Sequence, residues 1–72
     1  MTEATKVAIK AKFDEWMDPD HPTTKYEFYG FLRELRDAGV EWGYGEVADL
    51  TDIEEPVIRM RVDYLDKIGG AA

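Results

Sequence analysis

Apolar residues recur at helical spacing along most of the chain, and the interruptions fall at proline, glycine and aspartate. Over residues 3–17, Ile9, Phe13, Trp16 and Met17 form one stripe, widened by Val7 and Ala11, which is the i, i+3, i+4 pattern of an amphipathic helix. Thr2 is placed to cap this helix, and Glu3 suits its positive end. Pro19 and Pro22 disfavour helix at Asp18 and His21, so the first helix must stop there. Thr24 and Glu27 then form a capping box that opens a second helix over 24–38, with Phe28, Phe31, Leu32, Leu35 and Ala38 inward and Gly39 as its stop signal. Gly30 costs roughly 1 kcal/mol relative to alanine inside a helix. Its presence there predicts a close backbone or a large ring against it, with Trp16 or Trp42 as the candidates.

From Val40 onward two readings compete. A β-hairpin across 40–47 would place Gly43 in its turn. The segment that follows shows no strand alternation, which favours a short helix over 45–51, a turn, and a longer helix over 54–68. In the longer helix Val57, Ile58, Val62, Tyr64, Leu65 and Ile68 mark a broad apolar face, and Glu55, Pro56, Arg59, Met60, Asp63 and Lys67 mark the opposite one. Pro56 is tolerated because the first turn of a helix has no N–H partner to lose. Arg61 falls on the apolar side, so it is expected to be at least half buried and paired with a carboxylate of this chain or of a second copy. Together these patterns predict an all-α domain of three to four helices spanning 1–72. Phe31, Leu35, Val47, Ile58, Val62 and Leu65 form the expected core, with Phe13 and Trp16 lying over it.

Within this half of the chain Val47 and Ala48 are followed by a turn, then by Ile53, and then by Ile58 and Val62. Small Ala48 permits a close crossing, Ile53 plugs the corner, and Ile58 is the inward residue of the next helix. On these residues, the stretch 43–68 resembles the helix-turn-helix of small DNA-binding regulators. Asp52 stands at the turn position that such proteins usually give to glycine, and aspartate tolerates the left-handed backbone needed there better than most residues. The resemblance implies a transcription regulator on double-stranded DNA. Arg59 and Met60 would face the groove, and Lys67 or the lysines Lys6, Lys10 and Lys12 of the first helix would meet phosphates. A unit of this size would act as a homodimer reading two half-sites about one helical turn apart. With GGAA as the last residues, a wingless domain is expected.

Charge changes this picture. Sixteen acidic residues against nine basic ones give a net charge of −7, opposite in sign to what non-specific attraction to nucleic acid requires. Glu54 and Glu55 open the helix that would enter the groove. The rival reading is an acidic protein-interaction module, such as an inhibitor encoded by a virus or mobile element, that binds a basic, nucleic-acid-handling partner. The chain has no cysteine and one histidine, so no thiolate or histidine metal site is expected. Asp18, Asp20 and His21 lack the spacing of a calcium loop and suit a turn. No cofactor is implied, and the absence of serine, of cysteine and of a glycine-rich phosphate loop argues against an enzyme. The apolar runs are too short for a membrane span. A cytoplasmic protein is expected.

Overall fold

A computed structural model of the chain describes residues 1–70; the last two residues of the expected 1–72 domain lie outside it. Four helices follow one another: α1 (Glu3–Met17), α2 (Lys25–Asp37), α3 (Tyr44–Thr51) and α4 (Glu55–Gly70). The described residues contain no strand, so the hairpin across 40–47 does not form. Residues 40–43 are instead a short loop anchored by Trp42, whose Nε1 donates to the Leu32 carbonyl at 2.9 Å, and residues 44–47 open α3. None of these helices is long and apolar enough to cross a membrane.

Local chemistry sets the helix ends. Thr2 Oγ1 accepts from the Thr5 N–H at 3.2 Å, and Thr24 Oγ1 accepts from the Glu27 N–H at 3.3 Å. Each satisfies one of the orphan donors of a helix N-terminus. Asp18 is extended ahead of Pro19, and its Oδ1 accepts from the Asp20 N–H at 2.9 Å, the turn-forming role that aspartate plays in such linkers. α2 closes with Gly39 at φ +83°. There the Val40 N–H reaches the Leu35 carbonyl and the Gly39 N–H reaches that of Arg36, at 2.9 and 3.0 Å. This is the paired arrangement that a left-handed residue after a helix makes possible.

α1 and α4 each pack against both α2 and α3. Ile9, Phe28, Tyr29, Leu32, Val47, Ile58 and Val62 form the buried core. Phe13 and Trp16 lie over it, with Trp16 stacked on Phe28 at 5.7 Å between ring centroids. Val47, Ile58 and Val62 are thus core residues as expected. Phe31, Leu35 and Leu65 are only partly buried at its margin. The inward arc of α2 is turned towards Tyr29, because this helix contacts α1 on one flank and α4 on the other. Ala38 is exposed as a result. On α1, Ile9 is central while Val7, Ala11 and Met17 face solvent. On α4 the apolar face is narrower than its sequence suggests, since Tyr64 and Ile68 are each 53% exposed.

The expectation at Gly30 needs correction, as does the pairing of Arg61 with a carboxylate of this chain. A Cβ at Gly30 would meet nothing within 4 Å, so neither tryptophan packs there. Arg61 is largely buried, yet among the described residues no carboxylate forms an ion pair with it. Instead it lines a cavity of about 230 Å³ with Tyr26, Tyr29, Met60 and Tyr64.

Candidate functional site

The junction between α3 and α4 positions the candidate surface. α3 ends at Asp52, whose backbone is left-handed at φ 59°, ψ 15°, with its N–H on the Ala48 carbonyl at 2.9 Å. Thr51, the one buried polar residue among the described residues, fixes the corner from inside. Its hydroxyl donates to the Val47 carbonyl at 2.7 Å and accepts from the Ile53 N–H at 3.3 Å. The chain then leaves through Ile53 and Glu54. The Glu54 carbonyl receives the first N–H groups of α4, from Val57 and Ile58. This corner directs Ile58 and Val62 inward, so the opposite side of α4 must face solvent.

On that side Glu55, Pro56, Arg59, Met60, Asp63 and Lys67 are all exposed, and together with Tyr64 they line one open trough along the helix. All six residues expected at the site are therefore brought together. Spacing alone puts Tyr64 on the inward face; its ring straddles the edge of that face and leaves the trough and the Arg61 cavity side by side. Met60 is 58% exposed, so the middle of the trough is apolar. Arg59 is held in place: its Nη2 donates to Glu55 Oε1 at 3.2 Å, and its guanidinium lies 4.6 Å from the Tyr44 ring centroid, a cation–π distance.

Among the described residues, half of the eight other Lys and Arg side chains are engaged by carboxylates of this chain. Lys10 pairs with Asp14 at 3.0 Å and Lys12 with Glu15 at 3.5 Å, which ties up two members of the lysine cluster on α1. Arg33 and Arg36 converge on Asp66, with Arg33 Nε and Arg36 Nη2 at 2.8 and 2.7 Å from Oδ1 and Arg36 Nη1 at 3.0 Å from Oδ2. Hydrogen bonding from Arg36 and then from Arg33, working against desolvation, holds the Asp66 carboxyl down at about 2. The same contact raises the pKa of Arg36. Burial pushes the Tyr29 phenol up, and the nearby Arg61 charge partly opposes this. Around the α3–α4 corner Asp49, Asp52, Glu54 and Glu55 are all exposed, which makes the approach to the start of α4 strongly negative.

Among the described residues no group of three or more histidine, cysteine, aspartate or glutamate side chains is arranged to hold a metal ion. No protein-family model, curated protein or solved structure matches the chain.

Proposed function

We propose that the chain is a protein-interaction domain that docks through the exposed face of α4. The observation that carries this reading is the composition of that face. Met60 and Tyr64 lie more than half exposed at its middle, between charges of both signs, while four carboxylates crowd the corner at its start. A large apolar side chain left in water beside a polar rim is the make-up of a protein-binding patch. The corner carboxylates are the part of this surface that a basic partner would meet, and they would speed its approach at low salt.

A second reading, a DNA-binding regulator, draws support from the corner itself. The left-handed Asp52 and the buried Ile58 support it, since they fit the turn and the inward position that the helix-turn-helix resemblance expects. Its difficulty is electrostatic. DNA affinity comes from Lys and Arg displacing counterions from phosphates, and here Arg59 is neutralised by Glu55 while Arg33 and Arg36 are spent on Asp66.

A photo-crosslinking residue at position 60, compared with the same residue at exposed Val7 on α1, tests the docking reading in extracts of the source cells. Protein adducts are expected from position 60 and not from position 7, and they should disappear when Tyr64→Lys is added. Equal labelling from both positions, or adducts indifferent to Tyr64→Lys, would remove the α4 face as the docking surface.

A further inference from the structure

Charges on the exposed face of α4 alternate in sign at every fourth residue: Glu55, Arg59, Asp63, Lys67. We infer that this face is occupied by α4 of a second copy of the chain, running antiparallel and related by a two-fold axis. The inference rests on the docking reading above and names the partner, a copy that supplies the basic groups through its own Arg59 and Lys67 although its net charge is −7.

The order of signs selects this geometry. When the strip is reversed against itself, Glu55 falls opposite the second copy's Lys67 and Arg59 opposite the second copy's Asp63, and the two-fold repeats both pairs. A parallel arrangement would set every charge against its own like. Self-complementarity of this kind is what a two-fold interface demands, because one patch must recognise itself. The two-fold axis then passes at the level of residue 61. Met60 is one residue from that level, so the two Met60 side chains meet within about 3 Å along the helix at 1.5 Å per residue. Tyr64, three residues to the other side, covers the second copy's Met60. The apolar middle is thereby closed and the four charge pairs lie at its rim.

The state of these charges within one chain fits the same arrangement. Asp63 and Lys67 stand at i, i+4 spacing, the distance at which Lys10 with Asp14 and Glu55 with Arg59 do pair. Among the described residues neither Asp63 nor Lys67 forms an ion pair, so both remain available to a second copy. Arg59 is already oriented by Glu55 and Tyr44, which lowers the ordering cost of an intermolecular contact. A sixteen-residue helix is about 24 Å long, so a helix-on-helix contact of this length lies at the lower end of specific interfaces, near about 1,000 Å² in total. Association is therefore reversible.

Sedimentation equilibrium of the full chain, from about 10 µM to 1 mM at about 0.15 M salt, where repulsion between the acidic chains is screened, spans the range of a weak interface. The mass should rise from the 8.3 kDa monomer towards twice that value. Arg59→Glu alone and Asp63→Arg alone should each weaken self-association at least about tenfold, since each sets like charges opposite one another twice. An equimolar mixture of these two variants should associate again. In the mixed pair the two substituted side chains face each other with opposite charges, and the native Asp63 of one chain faces the native Arg59 of the other. Both sites are exposed, and unchanged circular dichroism would confirm that each variant is folded. A chain that stays monomeric throughout, or a mixture that does not recover, overturns the second-copy assignment. If position 60 then still crosslinks to a different protein, the docking reading stands and only the partner is wrong. If such crosslinks are missing as well, both fall.

Discussion

Replacing Asp66 by asparagine removes the carboxylate that joins α2 to α4. It accepts three hydrogen bonds, one from Arg33 and two from Arg36, at 2.7–3.0 Å. Those contacts hold its carboxyl at about 2 against an ordinary 3.8, a difference worth at most about 2.4 kcal/mol at about 1.36 kcal/mol per pH unit. The side chain of Asp66 is 35% exposed and that of Arg36 41%, so screening by solvent reduces the expected loss to about 1 kcal/mol. In a domain of this size that loss lowers the melting temperature by about 4–8 °C. Urea denaturation followed by far-ultraviolet circular dichroism, on the native chain and Asp66→Asn between pH 7 and pH 2, measures it. The folded-state value lies below the unfolded one, so the stabilisation is complete above about pH 4 and disappears as the pH falls through about 2. The two proteins should differ at pH 7 and converge towards pH 2. Equal stability at pH 7, or a gap that persists undiminished at low pH, would show that this carboxylate does not brace the two helices.

Three other substitutions probe the fold. Leu32→Ala, at a fully buried core site on α2, should cost about 2–5 kcal/mol in chemical denaturation, and more than Leu35→Ala at the core margin. Gly30→Ala should stabilise by about 0.5–1 kcal/mol, because the new methyl meets nothing within 4 Å and the helix gains a better helix former; a melting temperature that falls would mean an unseen close neighbour. Asp52→Gly should raise stability by up to about 1 kcal/mol by relieving a left-handed backbone at φ 59°, and thermal melts that show a loss would point to a role for the aspartate side chain.

Where helices begin and end was legible because the determinants are local. Thr2, Thr24, Pro19, Gly39 and Asp52 act on backbone within a few residues, and each sits where its chemistry places it. The rotation of α2 was not legible in the same way. Its period admits Phe31 and Ala38 as readily as Tyr29, and only simultaneous packing against α1 and α4 turns Tyr29 inward. Tyrosine also carries a polar tip, so a count of apolar positions passes over it. The candidate surface follows the same division. Glu55, Pro56, Arg59, Met60, Asp63 and Lys67 belong to one helix, and periodicity alone aligns them. The cavity of Tyr26, Tyr29 and Arg61 beside Met60 and Tyr64 joins α2 to α4, and the Asp66 clamp links residues thirty and thirty-three positions apart. Neither arrangement has a signature in local spacing. Arg61 shows the limit from the other side: its burial followed from the period, while its lack of a carboxylate depended on what α2 presents to it.

We propose that the exposed face of α4 meets protein and not nucleic acid. A fluorescence-anisotropy titration of random-sequence duplex DNA at low salt, with the native chain and with Glu54→Gln/Glu55→Gln, tests it most directly. Non-specific DNA binders hold such a duplex with dissociation constants of about 10⁻⁴–10⁻⁶ M even at physiological salt. No binding by either protein is predicted at concentrations that cover this range, because neutralising the two glutamates leaves Arg59 beside Tyr44 as the lone arginine of the trough. Saturable binding that weakens steeply with added salt, and strengthens when the two glutamates are neutralised, would contradict the account and make α4 a nucleic-acid-contacting helix.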